Sequence, residues 1–375
     1  MLTNTSSSEK KNENNNNNNN NNDNANNNSN NQVKKNTEFK LPKDIGAGLL
    51  KFCLTHTDSP NLKESKVVDR DPKDYEWLRA AFDNLEDDAK RMKKILDLLN
   101  DDSKVKTIDQ MVQSLEQLQF YIEDIDNSGD LIKIGGIPTL QRLMKSTQSP
   151  LIRAQASGCL TTICQNEENI QAYFKQLGLL DEAIALLNSE FVPACREKYL
   201  SLISSLFGYE IKSIDAVKLE VITKLTCSFL SPTVDLTIDD QVHSIENSVT
   251  GMTKACFILR KIFIAYPKLL QVAPSLGIVQ GLEDLLLAFN ISEEKSDLQV
   301  VMVEKVELLL LELLKNNEFN KDSRNIIKQS TILPIQLEKR LKFIKDQETA
   351  SKNTSNYEDE KKTVLTLLKF MKELK

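Results

Sequence analysis

Beyond Pro42 the apolar residues recur at three- and four-residue intervals, the spacing that lines one face of an α-helix. Leu49, Leu50, Phe52, Cys53 and Leu54 make a first apolar patch, closed by the turn-rich "TDSPN". After a charged linker, Trp77, Leu78, Ala81, Phe82 and Leu85, then Met92, Ile95, Leu96 and Leu99, mark two amphipathic helices. At Thr107 the sequence "TIDQ" is a Thr-x-x-Gln capping box, and it opens a helix bearing Met111, Leu115, Leu118, Ile122 and Ile125. That helix is predicted to stop at Asp126 and Asn127, with a turn through Ser128 and Gly129. "GGIPTLQRLM" then starts another helix, with Pro138 near its beginning, where a missing N–H costs little. In "SPLIRAQASGCLTTICQN" Ser149 reads as the N-cap and Pro150 as the first residue of a longer helix.

This joint recurs. "GGIPTLQRLM" at Gly136 is echoed by "LGLLDEAIALL" at Gly178, 42 residues on, by a weaker copy near Glu220 and by "LGIVQGLEDLLLAF" at Gly277. A longer helix follows each: "RAQASGCLTTICQN", "REKYLSLISSLFGY", "TKACFILRKIFIAY" and "VEKVELLLLELLKN". The last interval is long by 15 residues, and the excess coincides with the polar stretch Ser231 to Ser248, which reads as an inserted loop. A period near 42 with a short helix pair and a long third helix predicts an all-α, armadillo-like right-handed helical solenoid. The expected organisation is an Asn-rich disordered tail at 1–40, an N-terminal helical cap at 41–106, repeats over 107–330 and a C-terminal helical cap at 331–375. Gly158 inside a helix predicts close approach of a neighbouring helix, because glycine there costs roughly 1 kcal/mol relative to alanine.

Composition supports this picture. The chain has only 11 Gly and 10 Pro in 375 residues, few for a protein of many tight turns. Residues 1–40 include an unbroken Asn run from Asn14 to Asn22 and have almost nothing to bury, hence the expectation of disorder. The net charge of −6 offers no basic footprint for nucleic acid. Cys53, Cys159, Cys164, Cys195, Cys227 and Cys256 form no C-x-x-C pair and read as buried free thiols of a reducing compartment. The N-terminus lacks the apolar core of a signal peptide, and no window approaches the roughly 18 apolar residues of a membrane span. A cytoplasmic, membrane-free monomer is expected.

Motifs for catalysis are missing. The two histidines, His56 and His243, have no Cys, Asp or Glu at metal-ligand spacing, and no phosphate-cradling glycine loop or G-x-S-x-G elbow occurs. Cys159 and Cys164 share a helix with no histidine nearby. Glu123, Asp124 and Asp126 could pair as carboxylates, but a helix end without basic partners reads as solvated surface. The expectation is no enzyme, no cofactor and no metal. A solenoid of this kind works as a surface for a protein partner.

Particular motifs sharpen this. "FYIEDIDNSGDLIKIGGIPTL", "IRAQASGCLTTICQNEENIQAYFKQLGLL", "REKYLSLISSLF" and "TKACFILRKIFIAYPKLLQVAPSLGIVQGL" resemble the heat-shock-protein-70-binding protein 1 / Fes1 family of armadillo-type nucleotide exchange factors. "LLKFCLTH" and "EWLRAAFDNLEDDAKRMKKIL" resemble that family's N-terminal helices. The resemblance implies a co-chaperone of cytosolic heat-shock protein 70 that grips the chaperone's nucleotide-binding domain on a concave face and opens it to release ADP. It implies chaperone contacts at the ends of the long helices: Glu123, Asp126 and Asn127 in one repeat, Gln165 and Asn166 in the next. The family usually carries a basic residue where this chain has Gly208, and its N-terminal segment acts on the chaperone's substrate site, a role that an Asn-rich tail suits badly. The alternative is a non-catalytic armadillo adaptor or scaffold, or a chaperone inhibitor. A secretory relative works in the endoplasmic reticulum, and the expected cytoplasmic location sets this chain apart from it.

Overall fold

The computed structural model describes residues 87–103, 106–165, 168–207, 211, 214–289, 296–315, 318–350 and 357–374. The tail at 1–40, the Leu49 patch and the Trp77 to Leu85 helix lie outside the described residues, as do Cys53, His56, Asn166 and Gly208. All described residues fall in one compact unit, which begins at Glu86.

Among the described residues the unit is all-α apart from one hairpin. Its helices are α1 (Asp88–Asn100), α2 (Ile108–Ile122), α3 (Ile125–Lys133), α4 (Gly136–Met144), α5 (Pro150–Cys164), α6 (Glu168–Gln176), α7 (Leu179–Ser189), α8 (Pro193–Leu206), α9 (Ala216–Cys227), α10 (Val249–Ala265), α11 (Ile278–Ala288), α12 (Asp297–Lys315), α13 (Lys321–Gln329), α14 (Ile332–Ala350) and α15 (Glu358–Leu374). A 3₁₀ turn, Pro267–Val272, replaces the first helix of one repeat. The long helices α2, α5, α8, α10, α12 and α15 each pack on the next, and α1, α4, α7, α9, α11 and α14 each pack on the long helix that follows them in sequence. This is the armadillo-like stack that the 42-residue period predicts.

Local chemistry sets the helix starts. Thr107 accepts from the Gln110 N–H while the Gln110 side chain takes the Thr107 N–H, a complete capping box. Ser149 caps α5, with Pro150 in its first turn. Gly135, Gly178 and Gly277 precede α4, α7 and α11 with φ of 78°, 70° and 64°, a left-handed conformation that strains any residue with a Cβ. The repeat signature in the sequence is therefore this glycine corner, used three times.

Three expectations are corrected. First, α2 ends at Ile122, not at Asp126. Asp124 caps a new helix by accepting from the Asp126 N–H, so Asp126, Asn127, Ser128 and Gly129 lie inside α3. Ile125, counted into the buried stripe, is 64% exposed. Second, the inserted stretch is a β-hairpin: β1 (Thr233–Ile238) pairs antiparallel with β2 (Gln241–Glu246) around Asp239 and Asp240, both at positive φ as a two-residue hairpin turn requires. His243 stacks on Phe191 with ring centroids 4.4 Å apart, Ile245 is buried, and the Asn247 amide donates to the Ser228 and Ser231 carbonyls. Third, a Cβ on Gly158 would stand 3.5 Å from the Gln119 side-chain oxygen, an ordinary contact, so no neighbouring helix demands glycine there. Close approach occurs elsewhere, at Gly281, where a Cβ would come within 2.9 Å of the Leu230 carbonyl oxygen.

These two kinds of glycine separate experimentally. Gly178→Ala has open space for its methyl and should lose only the left-handed strain, about 1–2 kcal/mol. Gly281 lies inside α11 without that strain, but Gly281→Ala must displace the backbone at Leu230 and should lose more, as read by urea unfolding at a fixed pH.

Candidate functional site

Each long helix ends on carbonyls that its own turn cannot satisfy. At the ends of α2, α5 and α12 the chain solves this with an amide from the start of the following repeat. Asn127 Nδ2 donates to the Tyr121 carbonyl at 2.9 Å, and Gln171 Nε2 to the Cys164 carbonyl at 3.0 Å. Asn320 Nδ2 likewise donates to the Leu313 carbonyl. Asn127 also reaches Asp88 Oδ2 at 3.3 Å, tying α1 to the joint. Of the five contact residues inferred from the sequence, Asn127 is thus a half-buried closure of the α2–α3 corner. Glu123, Asp126 and Gln165 are exposed, and Asn166 is outside the described residues.

Glu123 and Gln165 follow the last turns of α2 and α5, and these two helices are linked by side chains that sequence reading missed. Gln119 accepts from Gln155 Nε2 at 2.6 Å and donates to Thr162 Oγ1 at 3.2 Å. Phe120, next to this ladder, is 71% exposed. Its ring meets that of Tyr121 edge-on, with centroids 5.6 Å apart.

Further along, the charge on the long helices changes. α2 carries the exposed Glu116 and Glu123, α5 the half-buried Gln155 and Thr162 and the exposed Gln165, and α8 and α10 the half-buried Lys198, Lys254 and Lys261. Burial lowers the Lys254 ammonium below its ordinary range; Glu197 opposes this and the like charge of Lys198 adds to it. Lys261 is also lowered by burial, and its Nζ lies 4.7 Å from the centre of the Phe257 ring. Glu197 is partly occupied, since its Oε2 accepts from Ser248 Oγ.

Two buried cysteines on the long helices are held as thiols. Burial pushes the Cys159 and Cys256 thiols up to about 12, far from the thiolate that attack requires. Among the described residues no group of three His, Cys, Asp or Glu could hold a metal ion, and no helix is long and apolar enough to cross a membrane. A groove of about 390 Å³ between α6, α7 and α9 is lined by Gln171, Lys175, Leu180, Asp181, Ile214 and Lys218. Lys218 and Asp181 pair across it, which leaves opposed charges neutralised within the groove rather than aimed at a ligand. The long-helix face is the better candidate.

Comparison with known proteins gives this surface a context. Residues 47–131 match the family model of the nucleotide exchange factor Fes1. Nucleotide exchange factor SIL1 of Rattus norvegicus is 25% identical over 182 residues, covering 46% of this chain and 38% of the relative. The Xenopus laevis SIL1 is 27% identical over 136 residues, covering 35% of this chain and 29% of the relative. The chain therefore spans well under half the length of these curated relatives. Two designed armadillo repeat proteins, each 14% identical, align with TM-scores of 0.48 and 0.49 over 75% and 74% of this chain and 99% of each design.

The two classes of residue predict opposite results. Asn127→Ala and Gln171→Ala should each lower stability by about 1 kcal/mol through a lost corner hydrogen bond. Glu123→Ala and Gln165→Ala, on exposed side chains, should stay within about 0.5 kcal/mol of the parent protein in the same urea titration.

Proposed function

We propose that this chain, similar over residues 47–131 to the Fes1 nucleotide exchange factors, accelerates ADP release from a chaperone of the heat-shock protein 70 kind. The family match carries the reading, and the outward face of the long helices supplies the means. The chain is proposed to act in the cytoplasm, as a monomer and without chemical catalysis.

The physical requirement is differential binding. A factor that binds the open nucleotide-binding domain more tightly than the closed, ADP-bound one shifts the population toward the open form, and nucleotide then leaves. By linkage, bound nucleotide must weaken the grip by the same factor. A rigid surface suits this task, because compliance would let the factor follow the domain into its closed shape. Stacked long helices, joined by buried side chains and corner amides, supply that rigidity.

Glu123, Asp126 and Gln165 are proposed to contact one lobe together with Phe120, an aromatic anchor of the type that dominates binding energy when covered. Lys198, Lys254 and Lys261 extend the contact toward acidic groups on the partner. Asn127 and Asn166 are proposed to act at the same end, Asn127 by holding the α2–α3 corner in place.

Stopped-flow release of fluorescent ADP from a purified nucleotide-binding domain, chased with excess ATP, tests the reading. The expected result is acceleration that rises with the concentration of this protein and falls roughly tenfold or more in Phe120→Ala. Lys254→Ala combined with Lys261→Ala should weaken the half-saturating concentration about tenfold, more so at low salt. Binding without acceleration would favour a passive adaptor or an inhibitor.

A further inference from the structure

The C-terminal core holds a carboxyl group with no use in the proposed binding surface. Glu307 lies on α12 within "VEKVELLLLELLKN" and is 0% exposed, and neither of its carboxyl oxygens has a hydrogen-bond partner. The charged groups acting on it are Glu304 from its own helix, Arg340 from α14 and Glu360 from α15; none of those acting on it comes from α10, α11 or α13, which also pack on α12. Arg340 is 2% exposed and already engaged, with its Nε donating to Glu360 Oε1 at 2.7 Å. Two buried carboxyls thus face one guanidinium. An ionised carboxylate buried without hydrogen bonds is too costly to keep when a proton can neutralise it.

We propose that Glu307 is a resident protonated acid whose proton permits α15, with α14 packed on it, to dock on α12, so that its loss at alkaline pH releases α15 from the stack. The electrostatics agree: burial first, then the charge of Glu360, with Arg340 opposing and Glu304 adding, raises the Glu307 carboxyl well above the ordinary carboxylate range. In the opened state the carboxyl ionises near its usual value, about 4.3. Between that pH and its raised value in the closed state, the closed form binds one proton more. Opening is therefore favoured about tenfold for each unit by which pH rises, and the docking is strongest in acid. When Glu307 finally ionises in place, it must compete with Glu360 for Arg340, and that contest acts on the ion pair joining α14 to α15.

Hydrogen exchange of the full chain, followed by mass spectrometry in peptides covering Glu358–Leu374, tests this between pH 6 and 9. Wild type and Glu307→Gln are compared at each pH, so that base catalysis of exchange cancels. The expected ratio of wild-type to variant opening rises severalfold to tenfold per pH unit, with the neutral amide remaining protected throughout. Glu307→Met, of similar volume and uncharged, should behave like Glu307→Gln and provides the comparison if the amide impairs folding. A ratio that stays constant from pH 6 to 9 with either variant would overturn the proposal.

Discussion

Burial of the long helices between their neighbours is the constraint on which the rest of the structure depends. In α5, ten residues including the run Ala156 to Thr161 are buried, so almost no side of the helix is left for solvent along that run. No single repeat can supply such surroundings, and each must take half of its core from the next. Several polar atoms that enter this layer find partners within it: Ser157 and Thr161 donate to carbonyls four residues back, and Tyr199 reaches the Met144 carbonyl at 3.0 Å. At the centre, Glu190 takes two bonds from Arg153, and its carbonyl accepts from the buried Arg196, whose guanidinium also reaches Ser228. Removal of one partner from such a node strands the others, which makes it a fixed joint rather than a hinge.

Much of this was legible in the sequence because burial and periodicity coincide. The capping box at Thr107, the Ser149-Pro150 start and the glycine corners were readable from short-range chemistry alone. The break after Ile122 was not, since Ile125 continues the three-residue spacing and only the cap from Asp124 shows that a new helix has begun. The hairpin was hidden by its polar content, although Val234, Leu236 and Ile238 alternate as a half-buried strand should and Asp-Asp stands where Asn-Gly would have announced the turn. Glu307 illustrates a conflict of signals. Its position shares a helical face with Val303, Val306 and Leu310, all buried, whereas its residue type reads as surface, and position prevailed.

The candidate surface was legible only in part, for a reason of the same kind. An end-of-helix carboxylate such as Glu123 can be read as exposed from its neighbours. The role of Asn127 depends on a carbonyl six residues away and on Asp88, contacts that no spacing rule predicts. Phe120 falls outside the apolar stripe of Met111, Leu115, Leu118 and Ile122, and it is exposed. It stands next in sequence to Gln119, whose side chain joins α2 to α5. Rigid corners then hold that surface in one shape, the property a factor needs if it is to favour one conformation of its partner over another.

The most direct test of that claim is the affinity of this protein for a heat-shock protein 70 nucleotide-binding domain, measured by calorimetry with the domain first nucleotide-free and then saturated with ADP. Exchange-factor action predicts at least about tenfold weaker binding to the ADP-bound domain, because the coupling between the two ligands must be reciprocal. Equal affinities in the two states would contradict it, since a surface that does not distinguish them cannot drive nucleotide out.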